Sequence, residues 1–370
     1  MTRAAILGTG GIARAHAEAL KNLGVELVAA ADIDPDRLGA FCVEHGIARS
    51  YGDAGELLEN EELDFVNICT PPSTHAGFIL QALSAGAWVL CEKPLCGSLA
   101  DLDRIVAAER ETGGHCASVF QWRFGSAGQH LKRLAGAGAL GKSLVGLCQT
   151  TWYRDADYYA VPWRGRWATE LGGVTMGQGI HAIDLFLWIL GDWTEVTAQV
   201  ATLDREIEVE DVSAALVRFQ SGAVGAILNS VLSPHQETYL RFDFQRASVE
   251  VRSLYSYANQ DWQCTPAAGF EAVRDAWEEI PADPPASHEA QFRAFLESLE
   301  RGEAPPASAS EVRPTLEFIS SLYKSGAKGA PVPRGSITPG DPFYRHVAGT
   351  LAEAAAATSG PGLSPPKSLE

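Results

Sequence analysis

Two short motifs carry residues that could exchange protons with a substrate. Glu92-Lys93-Pro94 directly follows the apolar run Trp88–Cys91, and His181 follows a glycine-rich segment. A partly desolvated lysine has a lowered pKa and can hydrogen-bond a reacting oxygen, and histidine suits proton exchange near neutral pH. The alternatives are a solvated ion pair of Lys93 with Glu92 and a structural role for His181.

The segment before His181 contains four glycines between positions 172 and 179. Glycines at this density allow the close approach of a ligand. Asp184 stands one helical turn after His181, where it could orient the imidazole ring or pair with a basic group between two domains.

A phosphate-binding pattern lies near the amino terminus, where Gly8–Ala13 connects an apolar strand to a helix. Gly8 permits a tight turn, Gly10 lets the backbone approach a pyrophosphate, and Ala13 lets the helix pack close to the strand. Asp32 ends the next apolar run, 24 residues after Gly8, near the spacing of the acid that binds ribose hydroxyls. The pattern predicts a dinucleotide site, with a structural glycine turn as the alternative.

The same acid indicates which dinucleotide is bound. A carboxylate at Asp32 accepts hydrogen bonds from a free ribose diol and repels a 2′-phosphate, and Ile33 supplies no compensating cation. We therefore expect NAD rather than NADP. Arg37, early in the following helix, could instead turn toward a phosphate.

Aromatic residues are concentrated between Trp152 and Trp167, which holds six of the 18 Trp and Tyr residues in these 16 positions. Aromatic rings with polar tips stack on sugar C–H faces, and arginines bind hydroxyls or carboxylates. Tyr158, Trp163 and Arg164 are candidates for such contacts. A subunit contact favours the same residue types and is the alternative.

The elements that would position these residues change along the chain. Strands and helices alternate through the first third, which predicts a parallel sheet with crossover helices. Beyond about residue 120, runs of strands without crossovers predict an open, mostly antiparallel sheet with helices on one face. The other face would be covered by a second copy of the chain, giving a homodimer or homotetramer, or would be polar and solvated.

The fold class is therefore α/β, a Rossmann domain followed by an α+β domain. The expected units are residues 1–122 for NAD binding, 123–345 for substrate binding and oligomerisation, and a carboxyl-terminal extension at 346–370 with a disordered end.

Composition excludes several classes of function. With 29 basic and 46 acidic residues the net charge is −17, which argues against nucleic acid or an anionic membrane as partner. The seven cysteines are scattered without a Cys-x-x-Cys pair, so neither a disulfide framework nor a metal site is expected. Strand one begins by Ala4 and the most apolar stretch, 180–190, is short, so we expect a cytoplasmic protein without a signal peptide or membrane span.

Taken in order, four motifs resemble those of the Gfo/Idh/MocA oxidoreductase family, also known as the glucose–fructose oxidoreductase and inositol dehydrogenase family. They are Ala5–Ala13, Cys69–His75, Glu92–Leu95 and Gly179–Asp184. The resemblance extends from about residue 3 to about residue 335. It implies a Rossmann domain followed by an open-sheet domain, nicotinamide-linked chemistry on a sugar or cyclitol hydroxyl, and frequent dimers or tetramers.

The resemblance also implies roles for individual residues. Lys93 matches the family's catalytic lysine and His181 its catalytic histidine. The residues expected to contact the cofactor are Gly8, Thr9, Gly10, Gly11, Ile12, Asp32, Thr70, Pro71, His75, Glu92 and Lys93. The residues considered for the substrate are Arg123, Tyr158, Trp163, Arg164 and Asp184. For His75 packing against the next helix is an equal alternative, and for Arg123 a bridge between domains is preferred.

Position 177 departs from the family pattern. Many members have an aspartate four residues before the histidine, and here that residue is Gly177. The change removes a carboxylate that could orient the imidazole and bind a substrate hydroxyl.

The leading hypothesis is an NAD-dependent oxidoreductase that transfers a hydride between nicotinamide and a hydroxyl or keto carbon of a sugar, sugar derivative or cyclitol. The alternatives are a glycosidase or epimerase that uses NAD for transient oxidation, and a non-catalytic NAD-binding sensor.

Overall fold

The computed structural model describes residues 1–282 and 284–351. Its first sheet is entirely parallel, with the strand order β3-β2-β1-β4-β5-β6. The strands are β1 (Arg3–Leu7), β2 (Glu26–Ala31), β3 (Arg49–Tyr51), β4 (Phe65–Ile68), β5 (Trp88–Cys91) and β6 (Cys116–Ser118). This is the doubly wound arrangement, in which ligands bind at the carboxyl ends of the strands.

Helices cover both faces of this sheet. They are α1 (Gly11–Asn22), α2 (Pro35–His45), α3 (Ala54–Asn60), α4 (His75–Ser84) and α5 (Leu99–Thr112). Side chains begin several of them, since Asp34, Asp53 and Ser98 each accept a hydrogen bond from a backbone N–H of the first turn. The predicted Rossmann fold is confirmed. The sequence analysis does not predict strand β3 or helix α3.

The second sheet has eight strands in the order β13-β12-β11-β7-β10-β9-β8-β14. They are β7 (Ser143–Tyr153), β8 (Trp193–Ala201), β9 (Val212–Phe219), β10 (Val224–Ser230), β11 (Leu232–Phe244), β12 (Ala247–Ser253), β13 (Trp262–Pro266) and β14 (Val332–Pro333). Only the pair of β7 with β10 is parallel among the pairings described, which confirms the mostly antiparallel prediction.

The described part of the chain contains seven further helices: α6 (Ser126–Gly136), α7 (Ala156–Tyr159), α8 (Ile180–Leu190), α9 (Ala272–Glu278), α10 (His288–Arg301), α11 (Ala309–Lys328) and α12 (Pro342–Arg345). Helix α8 packs closely on the second sheet because Gly146 and Gly225 leave room for the ring of Phe186, which a Cβ at either position would approach within 3 Å. This packing fixes the start of α8, where His181 lies.

The chain returns to the first sheet through α10. Phe292 and Phe295 of that helix share a core with Ala4, Ile6 and Phe65. Helix α10 therefore packs with the first sheet, although it falls within the range 123–345 expected for the second domain.

Among residues 1–282 and 284–351, no helix combines the length and apolar character needed to cross a membrane. The predicted disordered end of the extension, at 359–370, lies outside the described residues.

Candidate active site between the two sheets

A single cleft of about 1170 Å³ lies where the carboxyl ends of the first sheet face α8 and the second sheet. It brings together most of the predicted site residues: Gly8, Gly10, Gly11, Ile12, Asp32, Thr70, Pro71, Glu92, Lys93, Tyr158, Trp163, Arg164 and His181. Its volume exceeds the range of about 300–1,000 Å³ that is typical of small-molecule sites, which leaves room for a cofactor together with a substrate.

The glycine turn has the geometry that its sequence predicts. Gly8 has a φ of +84°, and a Cβ there would lie 2.8 Å from the backbone nitrogen of Thr70. A Cβ on Gly10 would meet nothing within 4 Å, so the backbone of the turn is open toward the cleft. Helix α1 begins at Gly11 without a side-chain cap, which leaves its first N–H groups available to an anion.

Asp32 directly follows β2, and its carboxylate is held in place by hydrogen bonds. It accepts hydrogen bonds from the backbone and hydroxyl of Thr9 at 2.7 and 2.9 Å, and from Nη2 of Arg37 at 2.6 Å. Burial alone opposes its negative charge, but these donors lower the pKa of Asp32 to about 2. Thr9 therefore positions Asp32 from beneath and does not line the cleft, while Arg37 lies beside Asp32 at the cleft wall.

Three predicted cofactor contacts follow β4. Thr70 and Pro71 line the cleft, but His75 is buried behind them. Its ring nitrogens lie 2.7 Å from the carbonyl oxygen of Pro94 and 2.9 Å from that of Thr70. The structure thus places His75 as a link between two cleft loops, the packing alternative, rather than in contact with the cofactor space.

Glu92 is held by a buried histidine. His16 Nε2 lies 2.9 Å from Glu92 Oε1, and the backbone N–H of Lys93 donates to Glu92 Oε2 at 3.1 Å. Burial disfavours charge on both partners. Nevertheless Cys69 and Glu92 hold the pKa of His16 well above its ordinary value, and His16 holds the pKa of Glu92 well below its own. Glu92 therefore fixes the loop that carries Lys93 instead of forming a solvated pair with the Lys93 ammonium.

Lys93 reaches across the cleft to the second domain. Its Nζ donates to the carbonyl oxygen of Gly177 at 2.6 Å. Burial lowers the pKa of Lys93 from its ordinary value. The ammonium is thus partly desolvated and oriented by one hydrogen bond.

His181 lies at the start of α8 and lines the same cleft. Its Nδ1 is buried and has no hydrogen-bond partner within the described residues. Burial, reinforced by the charge of Lys93, lowers the pKa of His181 to about 3. The imidazole is therefore neutral over the whole neutral pH range.

Asp184 and Arg123 form a buried ion pair and lie outside the cleft. Arg123 donates to both carboxylate oxygens at 2.5 and 2.6 Å, and the hydroxyl of Thr315 donates to Asp184 at 2.8 Å. Asp184 therefore does not orient His181, and neither residue faces the space for a substrate. The alternative for Asp184, a pair with a basic group, describes this contact. Arg123 and Asp184 both lie within the range 123–345, so the pair does not join the two expected domains.

The side chain of a glutamate from a preceding segment lies beside Gly177. A Cβ on Gly177 would lie 3.7 Å from Oε1 of Glu170, a buried residue that lines the cleft. Glu170 accepts hydrogen bonds from Arg164 at 3.1 Å and from the backbone of Gly165 at 2.6 Å. A carboxylate is thus present next to position 177 although residue 177 has no side chain.

The aromatic segment faces the cleft over part of its length. Trp152, Tyr158, Trp163 and Arg164 line it, whereas Trp167 is buried against Tyr323. The guanidinium of Arg164 lies 3.9 Å from the ring centroid of Tyr158 and 4.3 Å from that of Trp163. Trp152, Tyr158, Trp163 and Arg164 form an aromatic wall of the cleft.

Known proteins share this arrangement. The model of an oxidoreductase family with an NAD-binding Rossmann fold matches residues 2–120, and the GFO/IDH/MocA C-terminal domain matches residues 129–252. The chain belongs to the Gfo/Idh/MocA oxidoreductase family. The predicted family and its NAD-binding Rossmann fold are thereby confirmed.

Relatives of this family include named sugar and cyclitol dehydrogenases. Myo-inositol 2-dehydrogenase of Thermotoga maritima is 34% identical over 239 residues, which cover 62% of this chain and 68% of that protein. D-apiose dehydrogenase of Paraburkholderia graminis is 27% identical over 344 residues, 90% of each chain. The WlbA dehydrogenase from Bordetella pertussis, solved with NADH and UDP-GlcNAcA, is 27% identical, with a TM-score of 0.81 over 90% of this chain and 98% of that chain.

The residues of this family member fit NAD. The open backbone at Gly10, the uncapped start of α1 and the ionised Asp32 provide the three features that bind a pyrophosphate and a ribose diol. Lys93 and His181 lie farther along the same cleft.

Sequence reasoning missed several residues that shape the site. His16 is a buried side chain whose partner Glu92 is distant in sequence, and Glu170 is buried with partners five and six residues before it. Gln178 donates to the hydroxyl of Tyr158 at 2.7 Å. His288, at the start of α10, also lines the cleft. The only signal for His16 is its place on α1, three residues after Ala13, on the face that packs toward the sheet.

Proposed function

We propose that this protein is an NAD-dependent dehydrogenase or reductase acting on a CH–OH group of a sugar, sugar derivative or cyclitol. The observation that carries the proposal is that Lys93 and His181 line one cleft with the glycine turn at Gly8–Ile12. The names of the relatives, an inositol dehydrogenase and an apiose dehydrogenase, support the substrate class.

Lys93 has the position of a group that polarises the reacting oxygen. Its ammonium is oriented by the carbonyl oxygen of Gly177 and retains two further N–H donors. A hydrogen bond from a partly desolvated cation stabilises negative charge as it develops on a substrate oxygen. The bound nicotinamide supplies the hydride acceptor.

His181 has the protonation state of a proton acceptor. Because its pKa is about 3, the imidazole is neutral near pH 7 and carries a lone pair that can accept the proton of the hydroxyl. In the reverse reaction the same imidazole, once protonated, returns the proton to the substrate oxygen.

NAD is the proposed cofactor in preference to NADP. The ionised Asp32 repels a 2′-phosphate, and Arg37 is held in ion pairs with Asp32 and Asp34 at 2.6 and 3.2 Å. The charge of Arg37 is thus matched before a cofactor binds.

Two further parts of the proposal concern the whole chain. The units at 1–122 and 123–345 would bind NAD and substrate respectively, and the second sheet would join copies into a dimer or tetramer. All seven cysteines are free thiols, which supports a reducing, cytoplasmic setting.

The test is a panel of neutral sugars, uronic acids, amino sugars and inositols with NAD and with NADP, followed by the absorbance of the reduced cofactor. Lys93→Ala should lower turnover by at least about a thousandfold, because it removes an oriented charge at the reacting oxygen. NAD affinity, measured by calorimetry, should change little.

Lys142→Ala is the matched control, since Lys142 is exposed and lies outside the cleft. Full turnover by Lys93→Ala, or the absence of turnover by the wild type on every member of the panel, would contradict the proposal.

A further inference from the structure

Arg154 is a cationic side chain of the cleft that the proposed chemistry does not use. It follows β7, and its Nη1 and Nη2 donate to the carbonyl oxygen of Tyr153 and to the hydroxyl of Tyr255, each at 2.8 Å. Its guanidinium carbon lies 4.9 Å from the ring centroid of Trp152 and 5.1 Å from that of Tyr158. Two aromatic rings and two hydrogen bonds therefore fix the guanidinium group at the cleft wall.

The charge of Arg154 has no matching carboxylate. No Asp or Glu oxygen lies within 4.0 Å of its nitrogens among residues 1–282 and 284–351, and its Nε is a buried donor with no partner there. Arg164, which also contacts the ring of Tyr158, is by contrast paired with Glu170. A buried donor without a partner costs free energy unless a ligand satisfies it.

The other charged side chains of the cleft show how much of its positive charge is unpaired. The cleft is lined by four basic side chains and four carboxylates: Arg37, Lys93, Arg154 and Arg164, and Asp32, Asp53, Glu92 and Glu170. Asp32 is paired with Arg37, Glu170 with Arg164 and Glu92 with His16. Asp53 caps helix α3, whereas Lys93 and Arg154 have no carboxylate within ion-pair distance among the described residues. These two cations favour an anionic group of a ligand beside them.

We propose that Arg154 binds a carboxylate of the substrate, so that the substrate class is a polyhydroxy acid such as a uronate or an aldonate. This rests on the proposed function. A planar guanidinium held between rings presents its remaining N–H donors in a fixed plane, which matches the two oxygens of a carboxylate. Lys93, which lines the same cleft, is then free to act on a hydroxyl of the same molecule.

The experiment compares matched pairs that differ only in the acid group: glucuronate with glucose, galacturonate with galactose, and gluconate with sorbitol. We expect a higher kcat/KM for the acid in at least one pair. Arg154→Ala should lower kcat/KM for that acid by about 10- to 100-fold, mainly through KM, because a charge-assisted hydrogen bond is lost. The value for the neutral partner should stay within about twofold.

The matched control is Arg252→Ala. Arg252 also stacks on an aromatic ring, that of Tyr239 at 4.3 Å, but it is paired with Glu237 and lies outside the cleft. It should leave both members of each pair unaffected. Arg154→Lys keeps the charge and loses the planar geometry, so it should recover only part of the acid preference.

A binding measurement separates this inference from the proposed function. Binding of glucuronate, galacturonate and gluconate to the NADH-loaded protein is measured by calorimetry for the wild type and Arg154→Ala. Acid binding that Arg154→Ala abolishes supports the inference even where no turnover is found. Two kinetic results would overturn the inference: a kcat/KM for the neutral partners equal to or higher than that for the acids, or an equal loss for the acid and the neutral sugar in Arg154→Ala. Two binding results would also overturn it: no binding of the acids, or stronger binding of the corresponding sugar phosphates.

Discussion

A glycine at position 177 changes which atoms surround Lys93. The carbonyl oxygen of Gly177 accepts a hydrogen bond from Lys93 Nζ, and a Cβ at position 177 would lie nearest to a carboxylate oxygen of Glu170. Because burial raises the pKa of Glu170 while Lys93 and Arg164 oppose that rise, this carboxylate belongs to the same electrostatic group as the lysine. We infer that the carboxylate missing at 177 is replaced from the segment that follows the aromatic wall.

The pH dependence of turnover reports the charge of His181. A base accepts a proton only at a pH above its own pKa. Since the pKa of His181 is about 3, the fall of kcat/KM on acidification should come near pH 3 rather than near pH 6.5. The plot of log kcat/KM for oxidation against pH should therefore show no bend between pH 5.5 and 7.5 that belongs to His181. His181→Asn should lower kcat by about 10²- to 10⁴-fold across this range.

His235→Asn serves as the control, because His235 is exposed on β11 and does not line the cleft. A bend near pH 6.5 that disappears in His181→Asn but persists in His235→Asn would show that His181 is charged in the working enzyme.

At the scale of elements, the glycines before α8 have separate tasks. A Cβ on Gly173 would lie 1.8 Å from the carbonyl oxygen of Glu210, and one on Gly179 would lie 2.3 Å from Oδ1 of Asn229. Gly177, in contrast, has ordinary space. The segment Thr175–Gly179 is a wider π-helical turn, so the glycines on either side of Gly177 are needed for packing against the second sheet, and only Gly177 faces the cleft.

Alanine at these three positions should therefore have graded effects on stability. Gly173→Ala overlaps backbone and should cost about 2 kcal/mol or more, which lowers Tm by roughly 4–8 °C. Gly179→Ala meets the end of a side chain and should cost about half as much. Gly177→Ala should shift Tm by less than about 2 °C. Thermal unfolding followed by circular dichroism measures all three, and equal shifts would contradict the assignment.

The elements also show what the sequence can and cannot predict. The parallel sheet follows from apolar runs such as Glu26–Ala31 that alternate with amphipathic helices. Strand β3, Arg49–Tyr51, has three residues and no buried face, so it gives no periodic signal. Helix α11 has a periodic signal, because its apolar residues are spaced for one buried helical face: Val312, Leu316, Ile319 and Tyr323. The sequence analysis does not include this helix.

Long-range pairing explains the remaining differences at the site. Arg123 and Asp184 are 61 residues apart, and the parallel pair β7–β10 joins strands that are distant in sequence. Local spacing contains no information about either contact. The sequence could therefore identify Lys93 and His181 as candidates, but it could not show that Glu92 is held by His16.

At the scale of the whole molecule, the outer face of the second sheet is apolar at its centre. Val145 lies opposite Val224 in the pairing of β7 with β10, and both are exposed, as is Leu228. Leu216 on β9 is 61% exposed and lies opposite Ala226. Charged side chains such as Arg218 surround this face. A patch of this composition is typical of a subunit interface.

This face predicts a homo-oligomer that charge at its centre will dissociate. Leu216→Lys combined with Leu228→Lys places buried, unpaired cations in a two-fold contact, where like charges also face each other. The dissociation constant should rise at least about a hundredfold, since central apolar positions each contribute about 1–3 kcal/mol. Light scattering should show a change from a multiple of 39.5 kDa to the 39.5 kDa chain.

Leu203→Lys is the control for this change, because Leu203 is 67% exposed but follows β8 and lies off the sheet. A wild-type chain that is monomeric at tens of micromolar, or a double variant that keeps the wild-type mass, would rule out this face as the interface. Arg154 and the aromatic wall lie at or after the end of β7. If the interface holds that strand in place, dissociation should also raise the KM for the substrate. The affinity for NAD should stay unchanged, because the first sheet forms the NAD site.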